Sequence, residues 1–335
     1  MTAIQTATRP FTVRKLLLTL GALLLLLLLV LLASLCVGST SYRPWQLFGP
    51  DAEMARNVVL DLRLPRSLAA IGVGGLLALA GTLQQVLLRN PLADPYILGT
   101  SGGASVGALS ALLLGVGTLG VNLAAGAGAL SSILIVFLLA GRDHSATQTR
   151  LLLTGVALAA FCGALSSLLL SIAPDGLLRG MIFWLMGDLS GSAWPASMFA
   201  LAVLLILLAA LWPLSRELNI MGMGSEAAFS LGLNHNTLRW VLYFSAALAS
   251  AFAVTTAGMI GFVGLIVPHA LRLLVGQDLR LLLPAATLAG ALVLLLADML
   301  ARTLIAPQSV PVGVVMALLG VPVFLCLLSR QGARR

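Results

Sequence analysis

The chain has 335 residues, of which 60% are hydrophobic and only 9% are charged. A water-soluble globular protein is about one quarter charged, so this composition excludes a soluble domain and indicates a protein surrounded by lipid. The formal net charge of +8 does not indicate nucleic-acid binding, because the basic residues lie between apolar runs, where the positive-inside rule accounts for them.

Apolar runs of about 20 residues predict transmembrane helices, since a helix of that length crosses the roughly 30 Å hydrocarbon core. The alternating polarity of a transmembrane β-barrel is absent from runs such as 21–32. The sequence therefore predicts an all-α polytopic membrane protein, a single transmembrane domain over residues 1–335 with about ten helices. The predicted ranges are 15–37, 64–88, 97–115, 119–141, 150–171, 193–213, 238–258, 260–275, 281–301 and 311–329.

The first apolar run follows Arg14 and Lys15, as a cleaved signal peptide would. Signal h-regions span only about 7–15 residues, and this run is longer and lacks a small-x-small cleavage site. We interpret it as the first transmembrane helix. An even number of helices then places both termini on one side, and most Lys and Arg residues lie there, which predicts cytoplasmic termini.

Helices 2–5 and 7–10 run in opposite senses in this topology, so an inverted repeat is possible, as in many transporters. Two longer connections lie between the predicted helices. Residues 172–192 are expected outside as an interfacial segment, with a short helix around Met181–Trp184. Residues 214–237 are expected inside as a helical cytoplasmic loop that a partner protein can bind.

Glycine and small residues are dense in the third predicted helix. In lipid, close approach of backbones supplies much of the attraction between helices, so packing is one interpretation of these residues. The other is the lining of a passage. The candidate lining residues are Gly99, Ser101, Gly103, Ala104, Ser105 and Gly107.

No source of energy for transport is evident in the chain itself. A nucleotide-binding P-loop requires a lysine, and Lys15 is the only one, without the glycine pattern. Ion-driven transporters usually carry ionisable groups at mid-membrane, whereas Asp298, Arg272 and His269 fall near predicted helix ends, where snorkelling or capping suffices. These positions disfavour a proton relay, and an ion-driven secondary transporter is kept as the alternative.

A remote alternative is an intramembrane serine protease. The segment Gly99-Thr100-Ser101-Gly102 has the Gly-x-Ser-Gly pattern, and His269 on another helix could act as the base. The pattern is short and common in glycine-rich helices. No catalytic residue is assigned on this basis. The three dispersed cysteines indicate neither a disulfide framework nor a metal site.

Several motifs occur in order between residues 63 and 328, and together they make the chain resemble the permeases of ABC importers for iron chelates, haem and cobalamin. They are Arg63-Leu64-Pro65-Arg66, Asn90-Pro91-Leu92-Ala93-Asp94-Pro95 with Leu98-Gly99, Gly261-Phe262-Val263-Gly264-Leu265 before Pro268-His269, Leu282-Leu283-Pro284, Ala297-Asp298 and Pro311-Val312-Gly313.

The resemblance implies a ten-helix subunit of the bacterial inner membrane, paired with a second permease subunit, most simply an identical one. Two cytoplasmic ATPase subunits would bind ATP and Mg²⁺, so no cofactor is expected in this chain. A periplasmic binding protein would deliver the metal chelate. An iron-siderophore is the expected substrate because that group is the commonest in the family, with haem or cobalamin as alternatives.

The resemblance also assigns roles to residues. The residues expected to bind acidic residues of the binding protein when it docks are Arg63, Arg66 and Arg302. Those of the coupling loop, which would sit in a groove of the ATPase, are Leu218, Asn219, Gly224, Ser225, Glu226, Ala228, Leu231 and Gly232. Those expected to narrow the cytoplasmic mouth are Asn90, Leu92, Gln148 and Thr149. Ser309 stands where relatives usually have an acidic residue, which leaves Arg302 with one fewer possible partner.

Overall fold

The structure, a computed structural model, describes residues 12–38, 52–140, 147–224 and 230–332. The helices, numbered in chain order, are α1 Val13–Cys36, α2 Ala52–Asn57, α3 Leu64–Leu87, α4 Thr100–Leu113, α5 Thr118–Ala140, α6 Thr147–Ser171, α7 Asp175–Met186, α8 Trp194–Leu211, α9 Ser215–Met223, α10 His235–Ala257, α11 Val263–Val275, α12 Leu279–Thr303 and α13 Val312–Gly332. A π-helical stretch, Val58–Arg63, joins α2 to α3, and a 3₁₀ turn, Pro95–Leu98, precedes α4.

Each of the ten predicted transmembrane helices corresponds to one helix of the structure, with ends that differ by a few residues. In the described part of the chain, eight helical segments are long and apolar enough to cross a membrane. The two remaining predicted helices are the shorter α4, with 14 residues, and α11, with 13. The prediction of an all-α polytopic membrane protein is confirmed.

Helix α3 lies at the centre of the molecule and contacts α8, α10, α11 and α12. Its glycines allow these close contacts, because a methyl group at Gly81 would overlap the carbonyl oxygen of Gly264 on α11. In the same way, a methyl group at Gly74 would overlap the carbonyl oxygen of Gly290 on α12. Helix α3 is therefore held by backbone-to-backbone packing, the attraction that is available within lipid.

Prolines inside two helices leave carbonyl oxygens without their usual helical donor, and side chains of neighbouring segments supply one. Pro268 in α11 cannot donate to the carbonyl of Gly264, and Gln85 Nε2 donates to it at 3.4 Å. Pro284 in α12 cannot donate to the carbonyl of Arg280, and Trp212 Nε1 donates to it at 2.9 Å. The two carbonyl oxygens freed by these prolines thus each have a donor.

The short helices α4 and α11 occupy the second place in the two halves that the sequence predicts to be related by inversion. Each begins after a residue with left-handed backbone, Gly99 at φ 76° and Phe262 at φ 69°. Each also contacts the first helix of the other half, α4 against α10 and α11 against α3. This correspondence supports an inverted repeat, which shared sequence alone does not indicate.

The segment predicted at 172–192 contains helix α7, as expected around Met181–Trp184. The turn after this helix is hydrogen-bonded to the rest of the helix bundle. The backbone oxygen of Gly187 accepts from Gly313 N at 3.1 Å, and Asp188 N donates to the oxygen of Ala257 at 2.8 Å. The end of α7 is therefore fixed to the end of α10 and the start of α13.

Candidate functional site

Three arginines that are distant in sequence converge where α1 and α12 end and α3 begins. Arg66 Nε donates to Asp298 Oδ1 at 2.8 Å, and Arg302 Nε lies 3.1 Å from Asp298 Oδ2. Arg63 Nη1 donates to the backbone oxygens of Leu35 at 2.9 Å and Cys36 at 3.2 Å. We call Arg63, Arg66, Arg302 and Asp298 the arginine cluster.

The arginine cluster is joined to α1 through serine hydroxyls. Arg302 Nη2 donates to Ser34 Oγ at 2.6 Å, and Arg302 Nη1 donates to the backbone oxygen of Ser34 at 3.3 Å. Ser34 Oγ also shares a hydrogen bond of 2.7 Å with Ser67 Oγ on α3. These contacts fix the relative positions of three helices at one end of the molecule.

The charged side chains of the arginine cluster are largely buried. The three arginines are only 6–8% exposed and Asp298 is fully buried, so the four charges interact in a medium of low dielectric constant. Three guanidinium groups and one carboxylate leave a net charge of +2 within the cluster. Such a site attracts carboxylates, and guanidinium groups bind them in bidentate geometry.

The structure brings together the three arginines that the sequence assigned to docking, and docking remains a prediction. It corrects the expectation for Asp298, whose carboxylate was expected to need only snorkelling or capping. Asp298 is instead the buried counter-ion of Arg66 and Arg302. Sequence reasoning missed this role, although Asp298 and Arg302 are four residues apart on one helix, a spacing that signals an ion pair.

Helix α9 lies at the opposite end of α12 from the arginine cluster. Asn219 Nδ2 donates to Asp278 Oδ1 at 3.0 Å, and Leu279 N donates to Asn219 Oδ1 at 2.9 Å. Leu218 on α9 is fully buried in the bundle. These two predicted coupling-loop residues therefore face the membrane domain and hold α9 against the start of α12.

The exposed part of this loop lies further along the chain. Met223 ends α9 and is 77% exposed, and Leu231 is 62% exposed. Gly224 and Gly232 have left-handed backbone, with φ of 133° and 71°. Ser225, Glu226 and Ala228, which the sequence also assigned to ATPase contact, lie outside the described residues. The described apolar surface available to a partner is thus that of Met223 and Leu231.

The carboxylate of Asp278 accepts the hydrogen bond from Asn219 on α9, so the attachment of α9 depends on the protonation of this carboxylate and hence on pH. Burial raises the pKa of its carboxyl, but hydrogen bonds from Arg280 and Asn219 together lower the pKa by more than burial raises it. The pKa of Asp278 therefore lies below its usual value. A carboxyl group whose pKa is depressed by folding stabilises the folded state at pH values above its unfolded-state pKa of about 3.9. This stabilisation is lost as the pH falls through the folded-state pKa.

Replacing Asn219 by alanine is expected to loosen α9 by about 1–3 kcal/mol, because two hydrogen bonds are lost. Hydrogen exchange of the amides of Ser215–Met223, corrected for the intrinsic rate, should accelerate at pH 7. Wild-type protein should show a similar acceleration only when the pH falls through the depressed pKa of Asp278, where its carboxylate takes up a proton. Unchanged exchange in the variant would contradict this anchoring.

The residues predicted at the cytoplasmic mouth are partly visible. Asn90 is exposed and its Oδ1 accepts from Leu92 N at 3.0 Å, which closes a turn after α3. Thr149 is exposed on α6, and the side chain of Gln148 lies outside the description. The contacts of Asn90 account for a turn, and the gating role of these four residues stays a prediction.

The small residues of α4 pack closely against α5 in the single chain. A methyl group at Gly103 would overlap Ser132 Oγ and the oxygen of Gly128, and one at Gly107 would overlap the oxygen of Ala124. Ala104 is fully buried, and Ser105 Oγ bonds Ser166 Oγ at 2.9 Å. Gly99 and Ser101 stand at the beginning of α4, Ser101 half-buried. Helix packing explains most of these residues, and the lining of a pathway stays a prediction.

The groups considered for other chemistries are dispersed in the structure. Ser101 lies in the first turn of α4 and His269 is buried in α11. Within the described ranges, no group of three or more His, Cys, Asp and Glu side chains could hold a metal ion.

Comparison with known proteins identifies similar chains over almost the whole length. The FecCD transport family matches residues 25–330. The chain is 43% identical over 321 residues to the vitamin B12 import system permease protein BtuC of Escherichia coli O127:H6, covering 94% of this chain and 95% of that protein. The protein of the same name from Shigella flexneri is 42% identical with the same coverage.

Two solved structures have a similar fold. A metal-chelate type ABC transporter in an inward-facing conformation superposes with a TM-score of 0.85 and 33% identity, covering 93% of this chain and 98% of that one. PsaBC from Streptococcus pneumoniae, in complex with Fab, superposes with a TM-score of 0.57 and 20% identity, covering 82% and 94%. The second match shows likeness of fold alone.

Proposed function

The chain belongs to the FecCD transport family and is the permease of an ABC importer of this type, and we propose that the substrate it moves is a cobalamin. The observation that carries the proposal is the 43% identity to a vitamin B12 permease over nearly the full length of both chains. Cobalamin is a cobalt chelate, in keeping with the metal-chelate type transporter of similar fold. The expected preference for an iron-siderophore has no support from these relatives.

The permease would work in an assembly in the bacterial inner membrane, with both termini in the cytoplasm. Its partners would be a second, identical permease, two ATPase subunits that bind ATP and Mg²⁺, and a periplasmic binding protein. The arginine cluster then faces the periplasm, and α9 faces the cytoplasm. About 20 residues of α12 separate Asp278 from Asp298, or roughly 30 Å at 1.5 Å per residue, so the two contact sites are far apart.

Alternating access would link these two sites. Helices α4 and α11 are short, begin at left-handed residues and contact the opposite half of the molecule. In transporters, broken or short helices in corresponding places of two halves typically mark the substrate site around which the halves move. Movement of α9 with the ATPases would be passed to α12 through Asn219 and Asp278. No covalent chemistry in this chain is required.

Reconstituted transport tests the substrate. The permease, its ATPase and the cyanocobalamin-binding protein of the same organism are placed in proteoliposomes, and uptake of labelled cyanocobalamin is measured with ATP. A ferric siderophore with its own binding protein serves as the comparison. We expect ATP-dependent uptake of cyanocobalamin only. Uptake of the siderophore alone would overturn the substrate, and uptake under an ion gradient without the ATPase would overturn the importer mechanism.

A further inference from the structure

The four charged groups of the arginine cluster do not have the same freedom to bind a partner. Arg302 uses Nη1 and Nη2 on Ser34, and its Nε lies beside Asp298. Arg66 uses Nε on Asp298 Oδ1, and its buried Nη2 has no acceptor among the described residues. Arg302 is therefore held by both Ser34 and Asp298, whereas among the described residues Arg66 is held through Asp298, and 10% of its side chain is exposed.

We propose that Asp298 is a positioning residue, whose buried carboxylate fixes the guanidinium groups of Arg66 and Arg302 so that the exposed part of the Arg66 side chain meets a carboxylate of the binding protein. This inference rests on the proposed docking of an acidic binding protein at the arginine cluster. Asp298 does not touch the partner, because it is fully buried. It acts through the guanidinium groups.

The packing of the cluster explains why a carboxylate is needed at this position. Arg66 and Arg302 come from helices α3 and α12, and both approach one carboxylate, at 2.8 Å and 3.1 Å. Without that charge, two buried guanidinium groups would repel each other in a medium of low dielectric constant. The flexible side chain of Arg66 would then leave the orientation that a bidentate contact requires.

For the change Asp298→Asn, the positioning role and simple electrostatics predict opposite effects on the affinity of docking. Replacing Asp298 by asparagine makes this end of the permease more positive by one unit. Long-range attraction to an acidic protein would then increase, and docking would tighten. Loss of positioning would instead weaken docking, chiefly by faster dissociation, since contacts at the interface govern that rate.

The experiment measures docking of the cyanocobalamin-binding protein onto the permease–ATPase complex in nanodiscs, with association and dissociation rates recorded separately. Asp61 provides a matched control, because it lies exposed two residues before Arg63 and Asp61→Asn changes the charge equally. We expect Asp298→Asn to dissociate about tenfold faster or more, and Asp61→Asn to dock as tightly as wild type or more tightly. Docking by Asp298→Asn that equals the control would overturn the inference.

A double-variant cycle separates positioning from a general structural role. In an Arg66→Gln background, Asp298→Asn should have little further effect on docking, because its target is already absent. An undiminished effect in that background would contradict action through Arg66. If Asp298→Asn does not assemble with the ATPase, Ser34→Ala replaces it; that change removes an acceptor of Arg302 together with the hydrogen bond of Ser34 to Ser67, and should weaken docking to a smaller extent. Wild-type docking by Ser34→Ala would then overturn the inference.

The two proposals fail differently. If Arg66→Gln and Arg63→Gln both dock with wild-type affinity, the arginine cluster is not the docking site, and the proposed docking is wrong. If these arginine variants weaken docking and Asp298→Asn does not, docking stands and only the positioning role of Asp298 is wrong.

Discussion

Deletion of residues 225–232 is expected to abolish co-purification of the permease with its ATPase, and the single change Leu231→Asp is expected to weaken that complex at least tenfold. Leu231 and Met223 are large apolar side chains, 62% and 77% exposed, at the end of the molecule that carries α9. Exposed apolar surface in a loop outside the lipid marks a contact for a protein partner. Burial of one leucine contributes about 1.5–3 kcal/mol, and a buried aspartate in its place adds a desolvation cost.

The matched control for this change lies at the other end of the molecule. Met54 on α2 is also a large apolar side chain, 73% exposed. Met54→Asp should leave the ATPase complex intact and show that an added charge alone does not disrupt it. The measurement is the ratio of ATPase to permease after affinity purification in detergent. A normal ratio in both the deletion and Leu231→Asp would rule out this loop as the coupling element.

Replacing Gly81 by leucine is expected to eliminate folded permease, and Gly81→Ala is expected to destabilise it by about 1–3 kcal/mol or more. A side chain at this position meets the backbone of Gly264 on α11, which cannot move aside as a flexible side chain can. Helices α3 and α11 would have to separate, and the hydrogen bond of Gln85 to the oxygen of Leu265, 3.2 Å long, would break with them.

The control is a glycine inside a helix with open space around it. A methyl group at Gly163 on α6 meets nothing within 4 Å, so Gly163→Ala should be tolerated or slightly stabilising, because alanine is the better helix former. Thermal unfolding in detergent, followed by the fraction of monodisperse protein, compares the variants. Equal thermal stability of Gly81→Leu and wild type would show that the contact of α3 with α11 is not needed for folding.

The arrangement of the arginine cluster and of α9 changes how the predicted contact residues are understood. Arg302, expected to contact the binding protein directly, is held within the chain by Ser34 and Asp298. Leu218 and Asn219, expected on the ATPase-facing surface, instead attach that surface to α12. Both sites therefore consist of outward-facing residues and of buried residues that hold them.

The sequence by itself determined the class of protein and the order of the ten apolar helices that it predicted. Long apolar runs such as 15–37 and 281–301 cross lipid as helices, because in a helix the backbone N–H and C=O groups form hydrogen bonds within their own segment. Pro and Gly at the breaks set the ends to within a few residues. The ordered motifs from Arg63 to Gly313 were enough to indicate the family.

Only the tertiary structure decided which residues meet. Asp298 is separated from Arg66 by 232 residues, and no local pattern reports a pairing at that distance. The glycines of α4 gave the same signal for packing and for a passage, because both need small side chains. Their contacts with α5 show packing in the single chain, and the lining of a pathway stays a prediction. The apolar runs fix which helices form, whereas the burial and pairing of single polar groups depend on how those helices cross.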